Sequence, residues 1–178
     1  MPTEPAHHHT HGPANRGRRV LRTAAPLFVR FPRARPRSAV IVLHDAYGLT
    51  EPIEDCCRGL ARSGYVAVAP YLYYEAGGKE FRPEHEEAAQ AALSQLAADD
   101  LAADVAGALD HLSARLGIPA QATGVLGVGA SGDLATRAAA EHQLAVAAVC
   151  EPLDTPQRPG TERGRRDEAI RLIESRIG

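Results

Sequence analysis

Four short apolar runs, alternating with helix-like stretches, constrain the fold of this chain more than any other feature. The runs lie at residues 38–43 (SAVIVL), 65–69 (YVAVA), 123–128 (TGVLGV) and 144–149 (LAVAAV). Each is rich in small or β-branched residues, which is typical of strands buried on both faces. Helical stretches between such strands predict βαβ crossovers. We therefore expect a mostly parallel sheet in a three-layer α/β/α sandwich.

Further elements flank these runs. Alternation over residues 27–31 predicts a short edge strand, which Pro32 ends. Thr50 is a candidate cap for a helix that runs to Arg62. The other predicted helices cover residues 83–116 with a break near 98–100, residues 131–142 and residues 167–177.

The beginning of the chain differs from the rest in composition. Residues 1–19 are rich in Pro, Gly, His and Arg, which predicts a disordered tail, and residues 20–178 then form a single domain. Residues 1–37 carry a net charge of +7 and the remainder carries −9. Neutralising phosphates requires a basic face, so the acidic body argues against a nucleic-acid partner. The His residues of the tail have no second ligand group, and we assign no metal site.

The sequence also predicts a cytoplasmic protein without a membrane partner. No apolar run approaches the roughly 20 residues that cross a bilayer. The N-terminus lacks a hydrophobic secretory core. The three cysteines cannot build a disulfide framework, because Cys56 and Cys57 are adjacent and leave Cys150 alone.

Ligands of open α/β sheets bind beyond the carboxyl ends of the strands, so the residues after each run are candidates for a site. Asp45 is a candidate general acid or base, the alternative being that it caps the turn after it. His44 is a candidate for orienting a substrate, the alternative being a hydrogen bond to the backbone. Several further side chains are suited to lining a pocket, or else to packing or solvation: Tyr47, Tyr71, Tyr73, Tyr74, Arg82 and Cys150.

Two motifs of this chain occur together in a known family. They are residues 44–49 (HDAYGL) and residues 64–73 (GYVAVAPYLY), with Ile53, Asp55, Leu60 and Ala61 between them. The combination resembles the dienelactone hydrolase family, which has the α/β-hydrolase fold. The resemblance covers roughly residues 25–150. It implies that Asp45 takes the place of the family's active-site acid and that the N–H groups of Ala46 and Ala130 match its oxyanion-hole donors.

The family's nucleophile elbow, Gly-x-Cys/Ser-x-Gly, aligns with residues 127–131. Gly129 then occupies the nucleophile position without a side chain, and Ser131 is a displaced candidate nucleophile two residues later. No His follows His142, and only 28 residues follow Cys150. The chain therefore resembles a truncated α/β-hydrolase without a complete triad.

Residues 127–132 (GVGASG) also fit the dinucleotide pattern G-x-G-x-x-G, with Glu151 at the ribose-binding distance of 19 residues from Gly132. Nucleotide binding is therefore one candidate function. The pattern normally opens a dinucleotide-binding domain, whereas here it comes late in the chain. A Gly-rich turn inherited from a hydrolase is the favoured interpretation.

The leading functional hypothesis is an enzyme of secondary metabolism acting on a small or polyketide-type carbonyl or lactone compound. Asp45 would move a proton while the amides of Ala46 and Ala130 stabilise an oxyanion or enolate, without a cofactor or a covalent intermediate. Lactone hydrolysis, cyclisation, elimination and isomerisation all suit this arrangement. The alternative is a catalytically inactive hydrolase-fold protein that binds a ligand or partner. A closed, partly apolar pocket around Asp45 would favour the enzyme.

The last apolar run predicts a partner. Residues 144–149 have no further strand after them, so they are expected to form an edge that is unusually apolar. A two-fold partner can cover such an edge. We therefore expect a homodimer formed through residues 144–178.

Overall fold

The computed structural model describes residues 25–76, 78–96, 98–152 and 162–177. The expected disordered tail, residues 1–19, lies outside these residues. Five strands form a single sheet in the order β1-β3-β2-β4-β5. The strands are Leu27–Arg30 (β1), Ala39–Leu43 (β2), Val66–Pro70 (β3), Thr123–Val128 (β4) and Val146–Cys150 (β5).

The predicted sheet is confirmed. β1 runs antiparallel to β3 at one edge, and every other neighbouring pair is parallel. All residues of β2, β3 and β4 are buried, as continuous apolar runs require. The carboxyl ends of β2, β3, β4 and β5 consequently meet at one end of the sheet.

The described residues form five α-helices. They are Glu51–Arg62 (α1), Glu86–Gln95 (α2), Ala98–Leu116 (α3), Gly132–His142 (α4) and Glu162–Ile177 (α5). Buried side chains of α1 and α5 form one core with the sheet, and those of α3 and α4 form the other. The result is the predicted three-layer sandwich, an α/β-hydrolase-like architecture. Among the described residues, no helix is both long and apolar enough to span a bilayer.

Several element boundaries differ from the sequence expectations. Pro70 is the last residue of β3 and not the residue after it. The pairing of β2 with β3 ends at Val68, so the missing N–H of Pro70 removes no bond from the parallel ladder. Asp99 and Asp100, where a break in the long helix was expected, lie within the first turn of α3. Thr50 stands at the cap of α1 but makes no side-chain cap bond.

β5 is an edge strand in the described part of the sheet, paired with β4 alone. Val149 of β5 is 48% exposed and Leu172 of α5 is 41% exposed. We propose that a second copy of the chain covers this apolar edge. Light scattering at micromolar concentration should then give twice the 18.9 kDa of one chain.

A substitution that introduces a charge at this edge tests the interface. Val149→Lys should shift the mass toward that of the monomer, because an exposed edge lysine opposes strand pairing. Tyr74→Lys is the matched control, since Tyr74 is 51% exposed and lies away from the edge. A wild-type chain that stays monomeric at all concentrations would contradict the dimer.

Candidate active site

The strand register brings the predicted site residues together. Leu43 of β2 pairs with Gly127 of β4, and Val128 of β4 pairs with Cys150 of β5. The residues that follow these positions therefore lie side by side at the carboxyl end of the sheet.

Asp45 is buried directly after β2, with 4% of its surface exposed. Its Oδ1 accepts a hydrogen bond from the N–H of Tyr47 at 3.0 Å. The backbone N–H of Gly48 donates to the carbonyl of Asp45 at 3.2 Å. The bond from Tyr47 caps the turn after Asp45, which is the alternative role expected for this residue. This bond also fixes the direction of the Asp45 carboxylate.

The turn between β4 and α4 has the geometry of a strained elbow. Gly129 has φ +56, in the left-handed region that side chains rarely adopt. A Cβ on Gly127 would lie 2.5 Å from the carbonyl oxygen of Ser131 and 2.9 Å from the Cβ of Ala135, so the tight turn requires glycine there. The turn is therefore tight and left-handed, and it carries no side chain at position 129.

Gly129 lies between two groups. A Cβ built at this position would lie 3.3 Å from the Cβ of Asp45 and 3.0 Å from the Cγ of Pro152. Asp45 therefore lies in contact with position 129, where the nucleophile elbow aligned from the sequence would carry its side chain. An acidic side chain at this point also opposes a pyrophosphate, so the turn is poorly suited to the dinucleotide function considered from its sequence.

Ser131 is fully buried, and its hydroxyl donates a short hydrogen bond to the carbonyl oxygen of His44. This bond joins the β4–α4 turn to the end of β2. The hydroxyl makes no cap bond to α4. The geometry favours a structural role for Ser131 over that of a displaced nucleophile.

Ser131→Ala is expected to lower the free energy of unfolding by about 1–2 kcal/mol, because the buried carbonyl of His44 loses its donor. Chemical denaturation measures this change. Ser94→Ala is the matched control, since the exposed Ser94 bonds only within its own helix, to the carbonyl of Ala91. Equal stabilities of the two variants would contradict the structural role.

His44 is fully buried and its Nδ1 lies 2.8 Å from the carbonyl oxygen of Asp45. A carbonyl only accepts, so Nδ1 carries the proton. Nε2 is buried without a hydrogen-bond partner among the described residues. Burial lowers the pKa of His44 to about 4, so the ring is neutral at physiological pH. The hydrogen bond from Nδ1 to the carbonyl of Asp45 is the alternative role that was expected for His44, a bond to the backbone.

The candidate tyrosines occupy different environments. Tyr73 is buried and its hydroxyl donates to the carbonyl of Ala46 at 2.9 Å. Its ring lies 4.9 Å from that of His44, and burial together with the charge of Asp45 raises the pKa of its hydroxyl. Tyr73 therefore supports the turn that carries Asp45. Tyr71 packs against the core. The other candidate side chains are exposed or partly exposed: Tyr47, Tyr74 and Arg82. None of these four residues lines the cavity beside β5 that is described next.

A cavity of about 330 Å³ lies beside the elbow. Of the sequence candidates, Gly129 and Cys150 line it, whereas Asp45 does not, so the cavity is not the pocket around Asp45 that was expected of an enzyme. Burial, reinforced by the neighbouring acids, raises the pKa of the Cys150 thiol to about 12, so it stays protonated and is a poor nucleophile. Glu151, which follows the last apolar run of the sequence, also lines the cavity, and the other lining residues were not predicted: Val149, Pro152, Glu168 and Leu172.

Two of the unpredicted lining residues come from the same helix. Glu168 and Leu172 belong to α5, which packs against β5. No local motif marks these two residues, because their placement follows from the tertiary packing of a helix against β5. Within the described residues, no group of three or more His, Cys, Asp or Glu is arranged to hold a metal ion.

The sequence matches a known family over most of its length. The model of the dienelactone hydrolase family matches residues 26–168. A protein named as a carboxymethylenebutenolidase from Yersinia pestis is 48% identical over 42 residues, which cover 24% of this chain and 16% of that protein. One of the same name from Saccharolobus solfataricus is 53% identical over 38 residues, 21% of this chain and 15% of that protein. The matched stretches thus span less than a fifth of these relatives.

Solved structures share the fold at low sequence identity. A structure named for a dienelactone hydrolase of Klebsiella pneumoniae has a TM-score of 0.56 at 15% identity, covering 85% of this chain and 92% of that one. A cold-adapted esterase from an Arctic intertidal metagenomic library has a TM-score of 0.55 at 21% identity, covering 70% of this chain and 53% of that one. Both similarities support an α/β-hydrolase fold.

Proposed function

The chain belongs to the dienelactone hydrolase family, and from this premise we propose that it is an enzyme that opens a neutral lactone or ester without a covalent intermediate. Membership of the family supports a hydrolase-type function. The finer proposal concerns the mechanism and the charge of the substrate.

The observation that carries the proposal is the contact between Asp45 and Gly129. The elbow is tight and left-handed at this glycine, its nucleophile position has no side chain, and a carboxylate-bearing residue stands against it. The cavity reaches the same glycine. In the proposed mechanism a water molecule in the cavity beside Gly129 acts as the nucleophile, with Asp45 as its base.

The proposed reaction begins with that water. Asp45 accepts one proton while the water oxygen adds to the lactone carbonyl carbon, and the carbonyl electrons move to its oxygen. The N–H groups of Ala46 and Ala130 stabilise this oxyanion. Ala130 lies in the first turn of the 3-10 helix Gly129–Ser131, where amides lack partners within the helix. When the intermediate collapses, the ring C–O bond breaks and the leaving alkoxide takes the proton from Asp45.

The charge of the cavity favours a neutral substrate. Glu151 and Glu168 line it, and no basic side chain does so among the described residues. The name of the curated relatives points to carboxymethylenebutenolide, a lactone that carries a carboxylate. A carboxylate would meet like charges here, so we propose a lactone without one, such as a polyketide-type lactone of secondary metabolism.

Hydrolysis assays with three probes test this function: a neutral butenolide, its carboxymethylene derivative, and p-nitrophenyl acetate. We expect turnover of the neutral lactone in preference to the carboxylated one. Intact-protein mass spectrometry during turnover should show no acyl adduct. An adduct on Ser131 or Cys150, or preference for the carboxylated lactone, would contradict the proposal.

The second candidate is a ligand-binding protein without activity. The position of Pro152, 3.0 Å from a Cβ at position 129, favours it because the ring narrows the space above the elbow. Calorimetry separates the two functions. A neutral butenolide that binds and is recovered unchanged would support the binding protein and overturn the enzyme.

A further inference from the structure

A second cavity, of about 700 Å³, lies at the opposite end of the sheet from Asp45. It is formed by the end of β1 and the last turn of α1. Arg30 of β1 pairs with Ala67 at the start of β3, which places this groove at the amino ends of the parallel strands. A five-residue strand such as β2 is about 16 Å long, so the groove is separate from the candidate active site. We call it the arginine groove.

The arginine groove is lined by four arginines and by no acidic residue among those described. Two of the guanidinium groups are already engaged. Arg58 is bound by Glu54 at 3.0 Å and by Asp55 at 2.6 Å. The guanidinium of Arg30 stacks 4.0 Å from the centre of the Phe28 ring.

The other two guanidinium groups belong to Arg33 and Arg62. Arg33 and Arg62 form no ion pair with any other residue in the described part of the chain. Arg33 follows β1 and Arg62 is in the last turn of α1, so the two approach the groove from different elements. A planar guanidinium binds a phosphate group with two parallel hydrogen bonds. The groove is therefore suited to a ligand with two adjacent anionic groups.

An exposed aromatic side chain adds a second recognition element. Phe31 lines the groove and is 57% exposed, the highest exposure among the large hydrophobic residues described. An exposed ring beside guanidinium groups forms a stacking platform for a planar ligand. The volume of the groove lies within the range of about 300–1,000 Å³ that is usual for sites of small organic molecules.

We propose that the arginine groove binds a nucleoside diphosphate, with its phosphates on Arg33 and Arg62 and its base on Phe31. The site uses none of the residues of the elbow, and the inference does not depend on the hydrolase function. It also places nucleotide binding at a different end of the molecule from the G-x-G-x-x-G turn.

Calorimetry of the full chain with ADP and with inorganic pyrophosphate tests the site. The double variant Arg33→Ala/Arg62→Ala should weaken binding of both probes by roughly tenfold or more, since charged hydrogen bonds are lost. Phe31→Ala should weaken ADP by about tenfold and leave pyrophosphate unchanged, because only ADP has a base to stack. Arg115→Ala, which removes an exposed arginine at the end of α3, is the matched control and should change neither affinity.

Three results would overturn the proposal. The first is an ADP affinity that the double variant does not change. The second is an equal effect of Phe31→Ala on both probes. The third is that vesicles of phosphatidylglycerol bind through Arg33 and Arg62 while ADP does not bind. Asp45→Asn should leave ADP binding intact, so a failure of the hydrolase proposal and a failure of this one are distinguishable.

Discussion

Asp45→Asn is expected to lower kcat/KM for a neutral lactone by about 100- to 10,000-fold, the range usual for the loss of a general base. An amide cannot accept the proton of the attacking water. Its oxygen can still accept the 3.0 Å hydrogen bond from the N–H of Tyr47, so the turn should keep its shape. The loss should therefore fall on turnover and not on folding.

Two measurements separate these effects. Steady-state kinetics give the loss of turnover, and the midpoint of chemical unfolding reports the fold. Asp55→Asn is the matched control, because it removes a partly exposed carboxylate of α1 that pairs with Arg58. Activity of Asp45→Asn equal to that of the wild type would exclude Asp45 as the base. A large drop in its unfolding midpoint would mean that its role is structural.

Acidification from pH 7 to pH 4 is expected to remove about 3 kcal/mol of stability through His44 alone. Burial lowers the pKa of His44 in the folded protein to about 4, from the ordinary histidine value of 6.5. Between these values the unfolded chain takes up a proton that the folded protein does not. The contribution is complete above about pH 6.5 and is lost as the pH falls toward 4.

His44→Gln isolates this contribution, because glutamine does not titrate. The difference in unfolding free energy between pH 7 and pH 4 should be smaller in the variant than in the wild type by about 3 kcal/mol. Denaturation curves at pH 7, 5.5 and 4 measure it. Parallel pH profiles for wild type and His44→Gln would show that His44 is not the buried neutral group described.

The sequence predicted the elements better than their boundaries. Continuous apolar runs identify β2, β3 and β4 because these strands are buried on both faces, and burial on both faces leaves no polar alternation. The start of α5 at Glu162, before the expected residue 167, was not predicted, since its first turn has no apolar periodicity. Local propensity alone cannot set such a boundary.

The candidate site was predicted only as far as strand ends allow. Asp45 comes after the buried strand β2 and Cys150 ends β5, and this places them at one end of the sheet. The contact between Asp45 and Gly129 depends on the register of β2 with β4, which is a long-range property. The bond from Ser131 to the carbonyl of His44 joins residues 87 positions apart and has no local signal.

The crowded elbow restricts the mutational paths by which a nucleophile could return. Gly129→Cys would supply a thiol next to Asp45, but its Cβ would lie 3.0 Å from the Cγ of Pro152. The change would therefore be harmful while proline remains, and replacement of Pro152 by a smaller residue would relieve this contact but not the strain of a side chain at φ +56. The two substitutions are epistatic, with position 152 as the permissive first step. Directed evolution for covalent hydrolysis should follow that order.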